Sequence, residues 1–171
     1  MFDENKKNTH FTQKQKGSVS IEQAFEKLKY YCGYQERCHS EVKDKLYSLG
    51  LWQTQVEELI SRLIEENYLN EERFAQQFAG GKFRMKQWGK IKITYELKKK
   101  GVSPYNIKKG LKEIDLDDYD KIFQKLSEDK LESLSSEKNI LVKKKKVQDY
   151  LLQKGYERDL INDVVRTIGK K

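Results

Sequence analysis

Val42-x3-Leu46-x3-Gly50-Leu51-x4-Val56-x3-Ile60-x2-Leu63 is the stretch, residues 42–63, on which the fold of this 171-residue chain turns. The pattern returns without a gap as Ile93, Leu97, Gly101, Val102, Ile107, Leu111 and Ile114. It returns again as Val147, Leu151, Gly155, Tyr156, Ile161, Val165 and Ile168. Apolar residues four apart before the glycine, then four and three apart after it, predict two short amphipathic helices. The glycine between them suits the left-handed position that ends a helix, where a Cβ is strained. Such a repeat must be found first, because it sets the architecture.

Outward from these windows, start signals place the helices. Thr54 with Glu57 has capping-box spacing, and Ser103 before Pro104 reads as an N-cap with proline at N1. A further helix precedes each pair. The first starts near Ser20, where Gln23 completes a capping box, and carries Ala24, Phe25, Leu28 and Tyr31. The second starts near Asn70 and carries Phe74, Ala75 and Phe78; the third runs from about Asp118 with Ile122, Phe123 and Leu126. The expectation is an all-α protein: three tandem three-helix repeats, each with one small core, forming an elongated, curved array. The repeats span 20–69, 70–116 and 117–171, behind a disordered tail over 1–19. Residues 127–139, rich in Ser, Glu and Lys, read as a long mobile connection.

Composition agrees with slender amphipathic helices. Charged residues make up 36% and hydrophobic residues 36%, too lean for a thick sheet-containing core. No apolar run is long enough to cross a membrane, and the polar N-terminus lacks an export signal's apolar region. Cys32 and Cys38 then read as free thiols in a reducing compartment, and the cytoplasm is the expected location. A monomer is expected, because stacked repeats bury one another's faces.

The net charge is +8, and it is unevenly spread. Residues 71–116 hold twelve Lys/Arg against five Asp/Glu, whereas residues 21–70 hold six against nine. Within the middle repeat, Lys82, Arg84, Lys86, Lys90, Lys92, Lys98, Lys99 and Lys100 are opposed only by Glu96. Phe83, Trp88 and Tyr95 interleave with them. Such a cluster can neutralise phosphates while aromatics stack or pack; the other reading is a solvated helix face with its aromatics turned inward. Tyr95 reads as partial core, while Trp88 lies in the short Gln87–Trp88–Gly89 linker. The run Lys143–Lys146 reads as a solvated face rather than a phosphate contact.

Catalytic and metal chemistry finds no support. Cys32, Cys38 and His39 lack a zinc-ligand spacing, and Gly80-Gly81-Lys82 lacks the earlier glycine and the following Ser/Thr of a phosphate loop. Neither a cofactor nor a metal nor an enzymatic activity is expected.

Glu71-Glu72-Arg73-Phe74-Ala75, Phe78, Lys82-Phe83-Arg84, Trp88-Gly89-Lys90-Ile91-Lys92-Ile93 and Glu96-Leu97-x3-Gly101 together resemble the central repeat of RecX proteins, bacterial regulators of the RecA recombinase. Arg37-x2-Ser40-Glu41-Val42-x3-Leu46-x3-Gly50 and Leu63-x4-Tyr68-Leu69-Asn70 are similar to the family's first repeat. The resemblance covers about residues 21–168; the third repeat departs from the pattern around 127–139 and 143–146. It implies three three-helix repeats and a non-enzymatic function in DNA repair and the SOS response. That function is binding along the RecA–DNA filament and lowering its strand-exchange, ATPase and co-protease activities. By position it implies Arg73, Arg84, Lys90 and Lys92 as contacts, Trp88 as a packing anchor and Arg37 in the first repeat. The charge cluster adds Lys82, Lys86, Lys98 and Lys99. Arg73 reads equally as an ion-pair partner, and Arg37 as a cation favoured by a helix C-terminus. The alternative function is a stand-alone helical module that binds single- or double-stranded DNA weakly and without sequence preference, since no helix carries a base-reading set.

Overall fold

The structure, a computed structural model, describes residues 19–169. Among them lie nine helices and no strand: α1 Ile21–Tyr34, α2 His39–Ser48, α3 Gln53–Glu65, α4 Glu71–Lys86, α5 Lys90–Lys99, α6 Pro104–Leu111, α7 Leu116–Ser133, α8 Ile140–Lys154 and α9 Arg158–Thr167. Except for Val19, the tail expected over 1–19 lies outside the described residues.

Local chemistry accounts for most of the helix starts. Ser20 and Gln23 form a reciprocal capping box at α1, each side chain accepting from the other's backbone N–H at 3.2 Å. Asn70, Ser103, Asp115 and Asn139 cap α4, α6, α7 and α8 through their side-chain oxygens. At α3 the N-cap is Trp52, whose N–H donates to Gln55 at 2.9 Å. Thr54 and Glu57, expected to form that cap, lie within the helix instead. Gly50, Gly101 and Gly155 follow α2, α5 and α8 with φ of +86°, +78° and +88°. This is the left-handed turn the repeat required.

The helices pack as triads, α1–α3, α4–α6 and α7–α9, with every substantial helix contact inside a triad. Of the repeating apolar positions, those in the α2, α5 and α8 series and most of those in the α3, α6 and α9 series are buried. One position is systematically half-exposed: Ile60, Leu111 and Val165, ten residues after each glycine.

The cores are not one per triad. Unit 1 has its own, around Leu28, Val42, Leu46, Leu59 and Leu63. Units 2 and 3 share a single core running from Phe74 and Leu97 to Leu151 and Ile161. Aromatic rings carry it across: Phe83 to Tyr119 at 5.7 Å, Tyr119 to Tyr156 at 5.1 Å and Phe123 to Tyr156 at 5.0 Å. Such pairs are worth about 1 kcal/mol beyond their buried area. The expected mobile connection over 127–139 is a second correction. α7 continues to Ser133, and Ser127 is buried with its hydroxyl donating to Phe123 O at 2.8 Å. A polar composition hid a helix whose serine satisfies its own hydroxyl from the preceding turn.

Candidate partner-binding surface

The basic segment of unit 2 is built around the loop between α4 and α5. α4 ends at Gln87, left-handed at φ +53°, with Gln87 N–H on Phe83 O at 2.8 Å. α5 begins after Gly89, which has no side chain to cap it. Unit 3 supplies the missing acceptors. Gly89 N–H donates to Lys154 O at 2.9 Å, Lys90 N–H to the Tyr119 hydroxyl at 3.0 Å and Ile91 N–H to Gly155 O at 3.1 Å. Tyr119 in turn donates to Glu157 at 2.7 Å. Burial first, then the Glu157 carboxylate, push the Tyr119 phenol well above its ordinary range, so it stays a neutral donor.

This approach is so close that a Cβ on Gly89 would lie 2.2 Å from Gly155 O, and one on Gly155 would lie 2.2 Å from Lys92 Cβ. The Trp88-Gly89-Lys90 motif is therefore a joint between units 2 and 3. Trp88 is half-buried beside the shared core, with Lys82 and Lys92 ammoniums 5.4 Å and 4.7 Å from its ring. Lys92 also donates to Gln153 O at 3.0 Å, and Lys90 lies 4.3 Å from the Tyr119 ring. Arg84 and Lys86 are exposed in the last turn of α4, which leads into this joint, and Lys98 and Lys99 are exposed at the far end of α5, beside Lys100. Tyr95, expected to be partial core, is 64% exposed, and Met85 is 81% exposed.

A second joint links units 1 and 2, and it is polar. Lys100 donates to Glu41 at 2.7 Å, Ser40 to Lys100 O at 3.1 Å, and Arg73 to Glu36 at 2.7 Å. Arg73 also donates to Asn67 O at 2.8 Å. Burial raises the Glu41 carboxyl, but the hydrogen bond and charge of Lys100 outweigh it and hold it below its ordinary range. Lys100 is raised by the same bond. Arg37 stacks on Tyr31 at 4.1 Å with its Nε buried. Both arginines are thus engaged with unit 1 or the joint, in keeping with the ion-pair reading of Arg73. Cys38 is buried at this joint, and burial pushes the Cys32 thiol up to about 11, which leaves it unreactive.

Sequence reasoning missed two groups. Glu36, Ser40 and Glu41 form the joint between units 1 and 2, although Ser40 and Glu41 stand in the Arg37-x2-Ser40-Glu41 motif. Lys108 and Lys112 extend the basic surface onto α6, beyond a charge window that stopped at Lys100; their four-residue spacing was the available signal. Among the described residues, no group of three or more His, Cys, Asp or Glu side chains could hold a metal, and no helix is long and apolar enough to cross a membrane.

The sequence matches the models of the second three-helix domain of RecX over residues 70–111 and of the third over 117–165. The chain belongs to the RecX family. The match to the third RecX domain runs through 127–139, the stretch that departs from the expected motif. The regulatory protein RecX of Clostridium perfringens (strain 13 / Type A) is 33% identical over 133 residues, 77% of this chain and 62% of that relative. That of Bacillus cytotoxicus is 30% identical over 142 residues, covering 82% of this chain and 52% of the relative. The chain thus spans between about half and two thirds of the length of these RecX relatives. The crystal structure of RecX from Lactobacillus salivarius superposes with a TM-score of 0.75 at 26% identity, covering 86% of this chain and 96% of that one.

Proposed function

We propose that this RecX-family chain is a non-enzymatic regulator that binds along the RecA–DNA filament and lowers its recombinase, ATPase and co-protease activity. It acts as a monomer in the cytoplasm, in DNA repair and the SOS response. The observation that carries this reading is the exposed basic set Arg84, Lys86, Lys98 and Lys99 on α4 and α5 of unit 2, the unit whose core is shared with unit 3. Packing of α4 and α5 on that shared core holds the cations in a fixed pattern, which favours a repeating acidic or phosphate-bearing surface over a flexible one. Lys82, Lys90, Lys92 and Trp88 set that pattern and add charge at its edge. Arg37 and Arg73 act through the joint between units 1 and 2.

The test is RecA ATPase on single-stranded DNA with this protein titrated at substoichiometric ratios. Inhibition well before free DNA is consumed is expected. Changing Arg84, Lys98 and Lys99 together to Gln should weaken inhibition by about tenfold or more, with helical circular dichroism intact. If ATPase persists until free DNA is exhausted, simple competition for DNA explains the effect and the filament reading fails.

A further inference from the structure

Between α5 and α6 runs a groove of about 550 Å³ that the exposed cations described above do not fill. Its floor is aliphatic: Ile107 and Ile114 are buried, Leu111 is half-exposed, and Leu116, the first residue of α7, stands at its end 66% exposed. Its walls are cationic. Lys90 and Lys98 line the α5 side with Thr94 between them, and Lys108 and Lys112 line the α6 side. On the α6 side the two lysines are one helical turn apart, about 6 Å along the helix, and on the α5 side they are two turns apart, about 12 Å. The lining includes no carboxylate and no aromatic ring.

We infer that this groove receives an acidic amphipathic helix of a partner protein. It rests on the regulatory reading for its biological setting, but not for its chemistry. A helix laid in an apolar groove contributes leucine-like side chains at i, i+3, i+4 and i+7 to the floor. Glutamates on its flanks, one turn apart on one side and two turns apart on the other, match the lysine spacing of the walls. The groove offers no aromatic platform for unpaired bases, and phosphates would leave its aliphatic floor uncovered, so an amphipathic helix fits it better than nucleic acid. Desolvation of Leu111 and Leu116 supplies affinity, while the lysine rim steers approach and rejects basic helices. Leu111 is half-exposed in the same register as Ile60 and Val165, yet only unit 2 surrounds this position with four lysines.

Fluorescence anisotropy of the whole chain with a labelled helical peptide, leucines on one face and glutamates on its flanks, tests this. Binding is expected, with at least about tenfold weaker binding of the peptide whose glutamates are lysines. Leu116→Asp should weaken the acidic peptide by a similar factor. Leu116 is exposed, and an acid in the first helical turn is favoured by the helix dipole, so the fold is retained. The double variant Lys108→Glu, Lys112→Glu is the independent check, read with circular dichroism. Absence of binding by the wild type overturns the inference. So does an unchanged affinity in both variants, or variants that weaken only a labelled oligothymidylate, which would make the groove a nucleic-acid track. If the wild type inhibits RecA ATPase and Leu116→Asp inhibits equally, the groove has no part in regulation and the inference falls while the regulatory reading stands. Groove-dependent peptide binding without any ATPase inhibition would sink the regulatory reading and leave the groove assignment intact.

Discussion

Gly101 and Gly155 occupy the same repeat position and have nearly the same backbone, with φ of +78° and +88°. Their surroundings differ. A Cβ on Gly101 meets nothing within 4 Å, whereas one on Gly155 would run into Lys92 Cβ and backbone. Gly101→Ala should therefore cost only the left-handed strain, about 1 kcal/mol. Gly155→Ala should cost that plus overpacking of the joint, roughly 3 kcal/mol in total. Urea unfolding of the two variants checks the difference; equal losses would mean the joint yields without cost. The turn role of both glycines is written in the repeat, but the contact of Gly155 with α5 is not. Nothing in local sequence says which turn a neighbouring unit will press against.

At the joint between units 1 and 2, one ion pair links α2 to the residue that caps α5. Glu41 and Lys100 lie 2.7 Å apart, each with a side chain 29% exposed, and the pair should contribute about 1 kcal/mol. Because the folded Glu41 carboxyl is held below its ordinary value of 4.5, its contribution is full above that pH. It is lost as pH falls through the lower folded value, because the unfolded chain takes up the proton first. Glu41→Gln should thus be less stable than the wild type near neutrality. The gap should close as pH is lowered from about 6 to about 3. Parallel urea titrations across that range measure it, and a pH-independent gap would mean that Gln disturbs packing rather than charge. Helix starts at Ser20, Asn70 and Ser103 were readable from the side chains that cap them. The start of α5 was not, because Gly89 offers no side chain and the acceptors there come from unit 3, about thirty to sixty-five residues away.

At the scale of the molecule, two cores divide three units. Leu28 is fully buried in the unit 1 core, and Leu28→Ala should cost about 2–5 kcal/mol there. Hydrogen exchange followed by mass spectrometry should then speed up in α1, α2 and α3 while α4 to α9 keep their protection. Phe83 sits where the shared core crosses from unit 2 to unit 3. Phe83→Ala should loosen α4–α6 and α7–α9 together, with α1–α3 less affected. Independent loosening of units 2 and 3 would contradict a shared core.

The periodic apolar positions and the three glycines were enough for the sequence alone to determine an all-α threefold repeat, because amphipathic spacing and left-handed turns are local physics. Charge counting likewise located the basic unit. Tertiary structure decided the rest. It fused two cores through Phe83, Tyr119 and Tyr156, and drew Trp88, Lys90 and Lys92 into a joint. It also set Arg73 on Glu36 and opened a lysine-walled groove whose members come from α5, α6 and α7. These outcomes depend on which faces of distant helices meet, and a repeat that is uniform in its core carries no mark of which outer faces will do so.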